Sequence, residues 1–291
     1  MIKKTGIFAL LIFSSLSFLF VYQVFKFNDG NLHLIFCDVG QGDAILIRTS
    51  KGSNILIDGG PDDSVLNCLS KHLPFWDKNL SVLLLTHPHA DHLTGLISVE
   101  KRYNLMSYDT ENLKNPGSGA KILQDRLALK NLSATYLKKG DRLSNKDNFS
   151  IKILWPSEEF LENSNKKQSN SSFDLDLNGF SIVSLLSFGN FKALLTADSP
   201  FSVNETVEKE TGSVDILQVP HHGSKTGLSQ DFIAETRPKL AIISVGENNK
   251  YGHPSREALN LLQNNQIKYL RTDEKGDIEI VTDGKTWWLA N

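Results

Sequence analysis

The chain has 291 residues, of which 40% are hydrophobic and 22% charged, with 31 lysines and arginines against 33 aspartates and glutamates. This composition excludes a disordered chain and a many-span membrane protein, and the net charge of -2 excludes a polycation that coats nucleic acid. Cys37 and Cys68 are too few for a disulfide scaffold or a structural zinc site, and they leave the redox compartment undecided.

The first predicted element is an apolar helix at the N-terminus. Residues 6–25 form an uncharged run of 20 residues, about the length that crosses a bilayer. Lys3 and Lys4 precede the run, so the positive-inside rule keeps the N-terminus in the cytoplasm and places the following domain outside. We predict an uncleaved, single-pass signal anchor with its linker over residues 1–30 and a catalytic domain over residues 31–291.

Two other interpretations of the apolar run stay open. A cleaved signal peptide is the first, although no small-residue cleavage site follows the run. A buried core helix is the second, which a run that is apolar on all faces does not favour.

After Gly30, short strand patterns alternate with helix patterns. The predicted strands are 32–38, 44–48, 54–58, 81–86, 150–155, 180–187, 191–196, 215–219, 240–245 and 267–271, with a closing hairpin over 276–289. The predicted helices are 64–72, 91–99, 120–131, 230–236 and 256–264. This order predicts sheets covered by helices in one domain, while the polar stretch 157–172 predicts a mobile surface loop.

A dense group of metal-binding residue types follows the most apolar predicted strand. Residues 86–92 read THPHADH, which places His87 and His89 two apart in an extended segment and Asp91 and His92 at the start of a helix. Three imidazoles and a carboxylate within six residues suit a divalent metal of the zinc or manganese kind. A single histidine would more often be structural, but four such side chains at the end of a strand indicate a functional site.

The HxHxDH motif after an apolar strand resembles the signature of the metallo-β-lactamase superfamily. This resemblance implies an α/β fold, a four-layer αββα sandwich, with two divalent metal ions, zinc or manganese, between the sheets. It implies that Asp58, in ILIDGG, orients ligands, that Asp198, in LLTADS, bridges the ions, and that His253, in YGHPS, is the last histidine ligand. Ala197 stands where the superfamily usually has a glycine, so the turn before Asp198 must accept a methyl group.

The resemblance predicts how the ligands divide between the two ions. We expect His87, His89 and Asp198 on one ion, and Asp91, His92, His253 and Asp198 on the other.

The chain departs from most of that superfamily because no histidine lies between His92 and Asp198. With DVGQGDA (38–44), VPHHGS (219–224) and SVGENNKYGHP (244–254), this departure resembles the metallo-β-lactamase-like domain of the ComEC family of competence DNA-uptake proteins. That family has serine and asparagine where the histidine is missing, and the resemblance makes Asn178 and Ser181 the expected substrate-binding counterparts. Its multi-span channel region has no counterpart in these residues, so a separate channel protein is an expected partner.

Several further side chains have two interpretations each. His221 and His222 are expected beside the metals as acid-base or ligand residues, His222 before His221, together with Asp91; they could instead be structural histidines at a strand end. Ser224 of the same motif is expected to bind substrate. Asp38, Gln41 and Asp43 could approach the metal site from a glycine-rich hairpin, with Asp43 expected to bind substrate, or the carboxylates could be solvated groups of a turn.

Two further features of the sequence are a pair of isolated histidines and a local excess of positive charge. His33 and His72 lack neighbouring ligand types in the sequence, so both are predicted to be structural or surface residues. Residues 114–152 carry nine basic and three acidic side chains, which suits a phosphate backbone but is equally typical of a solvated surface.

The predicted function is metal-dependent phosphodiester hydrolysis outside the cytoplasm, by a nuclease with DNA as substrate, in DNA uptake during competence. The alternative within the same fold is hydrolysis of a cell-wall or lipid phosphodiester such as a choline phosphate ester. A third hypothesis, a non-catalytic binding module, is opposed by the six potential ligands His87, His89, Asp91, His92, Asp198 and His253 in order along the chain.

Overall fold

The computed structural model describes residues 4–144, 149–170 and 176–290. Its α-helices are α1 (Lys4–Phe27), α2 (Ser64–His72), α3 (Ala90–Arg102), α4 (Gly117–Ala128), α5 (Glu158–Asn170), α6 (Phe201–Thr211), α7 (Gln230–Thr236), α8 (Arg256–Asn264) and α9 (Thr272–Lys275). Short 3₁₀ helices cover Leu177–Phe180 and Pro220–Gly223.

The first half of the chain supplies strands β1 (Leu32–Phe36), β2 (Ile45–Arg48), β3 (Asn54–Ile57), β4 (Asn79–Leu80), β5 (Val82–Leu84), β6 (Asn104–Leu105), β7 (Tyr108–Thr110) and β8 (Ala134–Tyr136). The second half supplies β9 (Arg142–Ser144), β10 (Phe149–Trp155), β11 (Val183–Phe188), β12 (Phe191–Leu195), β13 (Ile216–Gln218), β14 (Leu240–Ile243), β15 (Lys268–Arg271), β16 (Ile278–Thr282) and β17 (Trp287–Leu289).

Two mixed sheets form the centre of the domain. One has the order β17-β16-β1-β2-β3-β5-β7-β8, and the other has the order β15-β14-β13-β12-β11-β10-β9. Alternate residues of β1 explain the layering: Leu34 and Phe36 point into the core between the sheets, whereas Ile35 packs into a second core with α2, α3 and α4. A third core joins the other sheet to α6, α7 and α8. These four layers confirm the predicted αββα sandwich.

The parallel strand pairs bring distant motifs to one edge of the domain. β3 pairs with β5 in parallel, so Asp58 and Thr86 follow neighbouring strand ends. In the second sheet β12 and β13 are parallel, so Asp198 and the pair His221 and His222 follow neighbouring ends. Carboxyl ends of parallel strands are the usual place for a ligand site in α/β sheets.

One prediction about local structure is wrong. The polar stretch predicted as a mobile loop forms α5 over residues 158–170, while residues 171 and 172 lie outside the described part of the chain. Glu158 and Glu159 in the first turn suit the positive end of the helix dipole. Leu161 packs into a small cluster with Leu113 and Phe180, a long-range contact that composition does not reveal.

The two cysteines form a disulfide between Cys37, just after β1, and Cys68 in α2. Their Cα atoms are 5.7 Å apart, within the usual range for this bond. Both residues lie in the core that joins the first sheet to its covering helices. The bond therefore fixes α2 to the first sheet at the end of β1.

Candidate metal centre

Four of the predicted ligands lie in the turn from β5 to α3 and in the first turn of that helix. His87 Nε2 is 3.1 Å from His89 Nδ1, and the rings of His87 and His92 are 4.2 Å apart. Asp91 stands in the first turn of α3, with about a third of its side chain exposed. The short extended segment ending at Pro88 therefore brings the histidines together, as the spacing predicts.

These side chains form two ligand groups that share Asp198. The ligand atoms of His87, His89 and Asp198 lie within 4.8 Å of one another, and so do those of Asp91, His92, Asp198 and His222. Asp198 Oδ1 is 3.3 Å from His92 Nε2 and 3.4 Å from His222 Nε2. Its other oxygen, Oδ2, is 3.9 Å from His87 Nε2. One carboxylate thus faces both groups.

Buried partners fix the orientation of two histidines. Asp58 Oδ2 lies 2.8 Å from His92 Nδ1, and Thr86 holds Asp58 through its hydroxyl at 2.7 Å and its backbone N–H at 2.8 Å. His222 Nδ1 lies 2.9 Å from the carbonyl oxygen of Ser244, which only accepts, so Nδ1 carries the proton. Both rings then direct Nε2 into the site, where it can bind a metal ion once it has lost its proton, the usual arrangement behind a metal ligand.

The donor atoms fit divalent ions. His92 Nε2, His222 Nε2 and Asp198 Oδ1 are buried and have no hydrogen-bond partner within the described structure. A buried polar atom left unpaired costs about 1–3 kcal/mol, so three that face one another indicate a missing partner. Imidazole nitrogens with carboxylate oxygens are a donor set that zinc and manganese accept.

The charges of neighbouring side chains determine the pKa values of the ligand residues. Burial raises the pKa of Asp198, but His222 and His92 outweigh it and leave that pKa well below its ordinary value. Burial likewise lowers the pKa of His222, yet Asp198 and Asp43 raise it overall to about 9. Burial and His92 together lower the pKa of His87. The carboxylates therefore stay ionised, as metal binding requires.

Comparison with known proteins agrees with this fold. The model of the metallo-β-lactamase superfamily matches residues 37–121. The domain has the metallo-β-lactamase fold. Among solved structures it is similar to CmlA, a diiron beta-hydroxylase from Streptomyces venezuelae, with a TM-score of 0.54, 17% identity, and coverage of 83% of this chain and 52% of that one. YhfI of Bacillus subtilis, a metallo-beta-lactamase fold protein, has a TM-score of 0.50 and 12% identity, covering 82% and 95%.

The curated relatives of this chain include competence-related proteins. ComE operon protein 3 of Bacillus subtilis is 29% identical over 285 residues, which cover 90% of this chain and 34% of the relative. Recombination protein 2 of Haemophilus influenzae is 28% identical over 84% of this chain and 28% of its own length. The chain thus spans about a third or less of these relatives.

The predicted division of ligands differs from the geometry at one histidine. His253 is in neither group of the described structure; its ring lies 5.6 Å from that of His221 and stacks at 6.0 Å on Tyr251. His222 stands in its place because His221 and His222 both have left-handed backbone angles, with φ of 51° and 54°. This turn directs His222 inward, and spacing alone does not reveal it. Which histidine binds an ion stays a prediction.

His221 has a different position from its neighbour. It is partly exposed and lines a cavity of about 340 Å³ together with His89, Asn178 and His253, with its Nε2 3.7 Å from Asp198 Oδ2. His222 lines the same cavity but is buried. Which of the two histidines acts in acid-base chemistry stays a prediction.

The predicted substrate-binding residues fall into two sets. The Asn178 Oδ1 and Ser181 Oγ atoms are buried with no partner in the described part of the chain, and Asn178 lines the cavity. The Ser224 hydroxyl instead lies 3.1 Å from that of Thr226. Asp43 is buried behind the histidines, 3.9 Å from His92 Nδ1 and 3.7 Å from His222 Nδ1.

Asp43 therefore approaches the metal site from its hairpin and is not a solvated turn carboxylate, while its role in substrate binding stays a prediction. Its hairpin packs tightly on α3, since a Cβ on Gly42 would lie 2.2 Å from the carbonyl oxygen of Asp91. Only glycine allows that approach. As a result Asp43 becomes part of the layer behind the ligands, and burial raises its pKa to about 6.

The expectation for Ala197 is confirmed. Its φ of 46° lies in the left-handed region where glycine is usual, so the turn does accept a methyl group. Gln218, which sequence reasoning missed, holds this turn: its Oε1 accepts the backbone N–H groups of Thr196 and Ala197, and its Nε2 donates to Asp43 at 2.8 Å. No local pattern marks Gln218, since its partners come from other strands.

Asn249 and Tyr251 were also missed. Asn249 Nδ2 donates to the carbonyl of His253 at 2.6 Å and its Oδ1 accepts from the His253 N–H, which fixes the loop that carries this histidine. Tyr251 is 59% exposed and borders both the cavity lined by His221 and an adjoining cavity of about 430 Å³. Both residues lie inside the SVGENNKYGHP motif, and that position was the sequence signal that could have marked them as site residues.

The basic stretch of residues 114–152 is largely paired in the structure. Arg126 and Lys130 contact the buried carboxylate of Glu100 at 2.6 and 2.7 Å. Two more of its cations pair at 2.7 and 2.5 Å with acids outside the stretch, Lys138 with Glu158 and Lys139 with Glu210. Those four cations are less available to a phosphate backbone than their count suggests.

Proposed function

We propose that this protein is a membrane-anchored phosphodiesterase that hydrolyses nucleic acid outside the cytoplasm with two divalent metal ions. The observation that carries the proposal is the pair of ligand groups sharing Asp198 at the floor of an open cavity. His87, His89 and Asp198 would hold one ion, and Asp91, His92, His222 and Asp198 the other. Such ions, when bound, polarise phosphoryl oxygens and activate water for attack.

The proposed acid is His221. It faces the cavity beside Asp198 Oδ2, so its Nε2–H is placed to donate a proton to the leaving oxygen. His222 is assigned to the second ligand group instead, so its Nε2 would be occupied by an ion. Asn178, which lines the same cavity, would contact the bound substrate.

The ligand set favours a phosphodiester over a lactam or a thioester. The first group contains two histidines where most relatives of the fold have three, and no histidine lies between His92 and Asp198 to complete it. An ionised phosphodiester brings anionic oxygens of its own to an incompletely surrounded ion. The adjoining cavity bordered by Tyr251 adds room and an aromatic ring for a base next to the phosphate.

Two observations support a location outside the cytoplasm. Disulfides such as Cys37–Cys68 persist mainly in oxidising compartments. Residues Phe8–Phe27 are long and apolar enough to cross a membrane, judged by length and composition. The similarity to proteins named for competence supports a role in DNA uptake, with a separate channel protein as partner.

The proposal is tested with the purified full chain in detergent, loaded with zinc or manganese. Labelled single-stranded DNA, duplex DNA, RNA, bis(p-nitrophenyl) phosphate, glycerophosphocholine, a cephalosporin and a glutathione thioester are compared at equal concentrations. We expect nucleic acid to be cleaved fastest, and Asp198→Asn to abolish cleavage. Fastest turnover of glycerophosphocholine would support the lipid or wall phosphodiester alternative, which the membrane anchor favours. Fastest turnover of the lactam or thioester would contradict phosphodiester chemistry, and binding of DNA without any turnover would indicate a binding module.

A further inference from the structure

The segment Pro74–Asp77, which follows α2, packs against the N-terminal helix. The ring of Trp76 lies 4.8 Å from that of Phe20 in α1, and the Phe75 N–H donates to Gln23 Oε1 at 3.3 Å. Phe75 and Trp76 also contact each other edge to face at 4.8 Å. The domain thus touches α1 along the side of the helix as well as at its end.

A second contact fixes the end of α1. The Arg48 guanidinium donates to the carbonyl oxygens of Phe27 at 3.3 Å and His72 at 3.1 Å, and it lies 4.8 Å from the centre of the Phe27 ring. These contacts join the last residue of the helix to the first sheet and to α2. These contacts fix the position of the domain along the axis of α1.

Three large apolar side chains remain exposed beside this contact. Phe75 is 59% exposed, Trp76 40% and Met106 63%. Met106 lies close by, since its N–H donates at 3.0 Å to the carbonyl of Leu80, which follows the same segment. Aromatic residues next to a membrane span favour the head-group region, where an apolar ring and a polar N–H are both satisfied.

We propose that Phe75, Trp76 and Met106 form a lipid-contacting surface that inserts into the head-group region of the bilayer beside α1. The inference rests on the proposed membrane anchoring. Phe20 lies seven residues before the helix end at Phe27, which corresponds to about 10 Å along a helix. If α1 crosses the bilayer, a ring in contact with Phe20 must lie within the lipid interface, and the bilayer is the occupant that this surface fits.

This surface orients the catalytic site away from the bilayer. Arg48, which holds the helix end, pairs with Asn54 across β2 and β3, and Asp58 follows β3 at the metal site. The four residues from Asn54 to Asp58 span about 13 Å of strand. The ligand groups therefore lie at the opposite end of these strands from Arg48 and face away from the proposed lipid surface.

The test uses the full chain in phosphatidylcholine–phosphatidylglycerol vesicles that contain brominated lipid, which quenches nearby tryptophans. We expect strong quenching in the wild type, and Trp76→Phe to remove most of it. Met106→Trp in the Trp76→Phe background is expected to restore quenching. Tyr251→Trp in the same background is the matched control, whose added fluorescence should be unquenched because it lies at the opposite edge.

Three results would overturn the proposal: equal quenching in the wild type and Trp76→Phe, no recovery in Met106→Trp, or failure of the chain to float with the vesicles. Hydrolysis of bis(p-nitrophenyl) phosphate is measured on the same samples. An inactive protein that shows the expected quenching would refute the proposed function and leave the lipid contact standing. An active protein without the quenching pattern would refute the lipid contact and leave the proposed function standing.

Discussion

Asp198 is the side chain that the two ligand groups share. Its two oxygens face different ligand groups, and the left-handed Ala197 before it is held by Gln218. Loss of a shared ligand affects two ions at once, whereas loss of a histidine affects one.

We therefore expect Asp198→Asn to lower bound zinc or manganese from two equivalents to less than one, measured by elemental analysis after gel filtration. His222→Gln should lower it by about one equivalent, and His253→Gln by less, since His253 lies outside both groups of the described residues. Asp231→Asn, an exposed carboxylate on α7, is the control and should keep both ions. A larger loss with His253→Gln than with His222→Gln would restore the ligand division predicted from the sequence.

The second residue-scale prediction concerns His221 as proton donor. His221→Gln should lower kcat about 100-fold or more for an oligonucleotide, whose leaving oxygen needs a proton, since general acids contribute about 10²–10⁴-fold. It should have little effect on bis(p-nitrophenyl) phosphate, whose leaving group departs unprotonated. Equal losses on both substrates, or loss of bound metal, would assign His221 a structural or ligand role.

The third concerns His72, which is buried at the end of α2 with Asp277 Oδ2 at 3.1 Å and Glu279 Oε2 at 3.3 Å. Burial lowers the pKa of His72, but bonds to both carboxylates outweigh it and raise that pKa above 6.5. Burial raises the pKa of Asp277, and the His72 bond and its other partners lower it to about 2. The pKa of Glu279 is lowered in the same way, by His33 and His72 against the effect of burial.

The directions of these pKa shifts define the pH range in which the ion pairs of His72 stabilise the fold. A raised histidine pKa gives stability that is complete below about 6.5 and is lost as pH rises through the folded value. Depressed carboxylate pKa values give stability that is complete above about 4 and is lost in acid. We expect His72→Gln to lower the free energy of unfolding by about 2 kcal/mol at pH 6 and by less at pH 8.5, measured by urea denaturation. Lys71→Gln, an exposed partner of Asp277, is the control, and a pH-independent loss would contradict the ion pairing.

At the scale of elements, the Cys37–Cys68 disulfide joins the end of β1 to α2 across 31 residues. The contacts of Arg48 lie at the other end of β1, where the linker from α1 enters the domain. The disulfide thus fixes α2 to the first sheet, and Arg48 fixes the end of α1 to it.

We expect Cys37→Ser with Cys68→Ser to destabilise the protein by about 3 kcal/mol, because a loop of this length loses its closure constraint in the unfolded chain. Chemical denaturation with and without reductant measures the effect. Wild-type protein under reducing conditions should match the double variant. No difference between oxidised and reduced wild type would show that the two thiols are unpaired.

At the scale of the whole molecule, the proposed anchor α1 and the proposed lipid-contacting surface would hold the domain against a membrane, and the Lys3 and Lys4 flank predicts which side it occupies. Protease added to intact spheroplasts should digest the domain, which is measured as loss of the signal from an antibody to the domain. A cytoplasmic protein serves as the control for lysis. Full protection until lysis would reverse the orientation and remove the basis for a role outside the cytoplasm.

The sequence by itself determined the local elements and the first ligands. Helices α2, α7 and α8 match their predicted bounds at 64–72, 230–236 and 256–264, because each is a continuous amphipathic segment whose pattern is complete within a few residues. The HxHxDH motif is equally local, since a strand end and a helix start place its side chains together.

Only the tertiary structure decided which distant residues complete the site. Asp43 and Gln218 bond across 175 positions, and His222 joins Asp91 because two left-handed residues turn it inward. α5 is a helix because Leu161 finds Leu113 and Phe180, and the lipid-contacting surface exists because α2 ends beside α1. In each case the deciding energy is a contact between segments far apart in the chain, and that contact forms only when the two sheets and their helices pack.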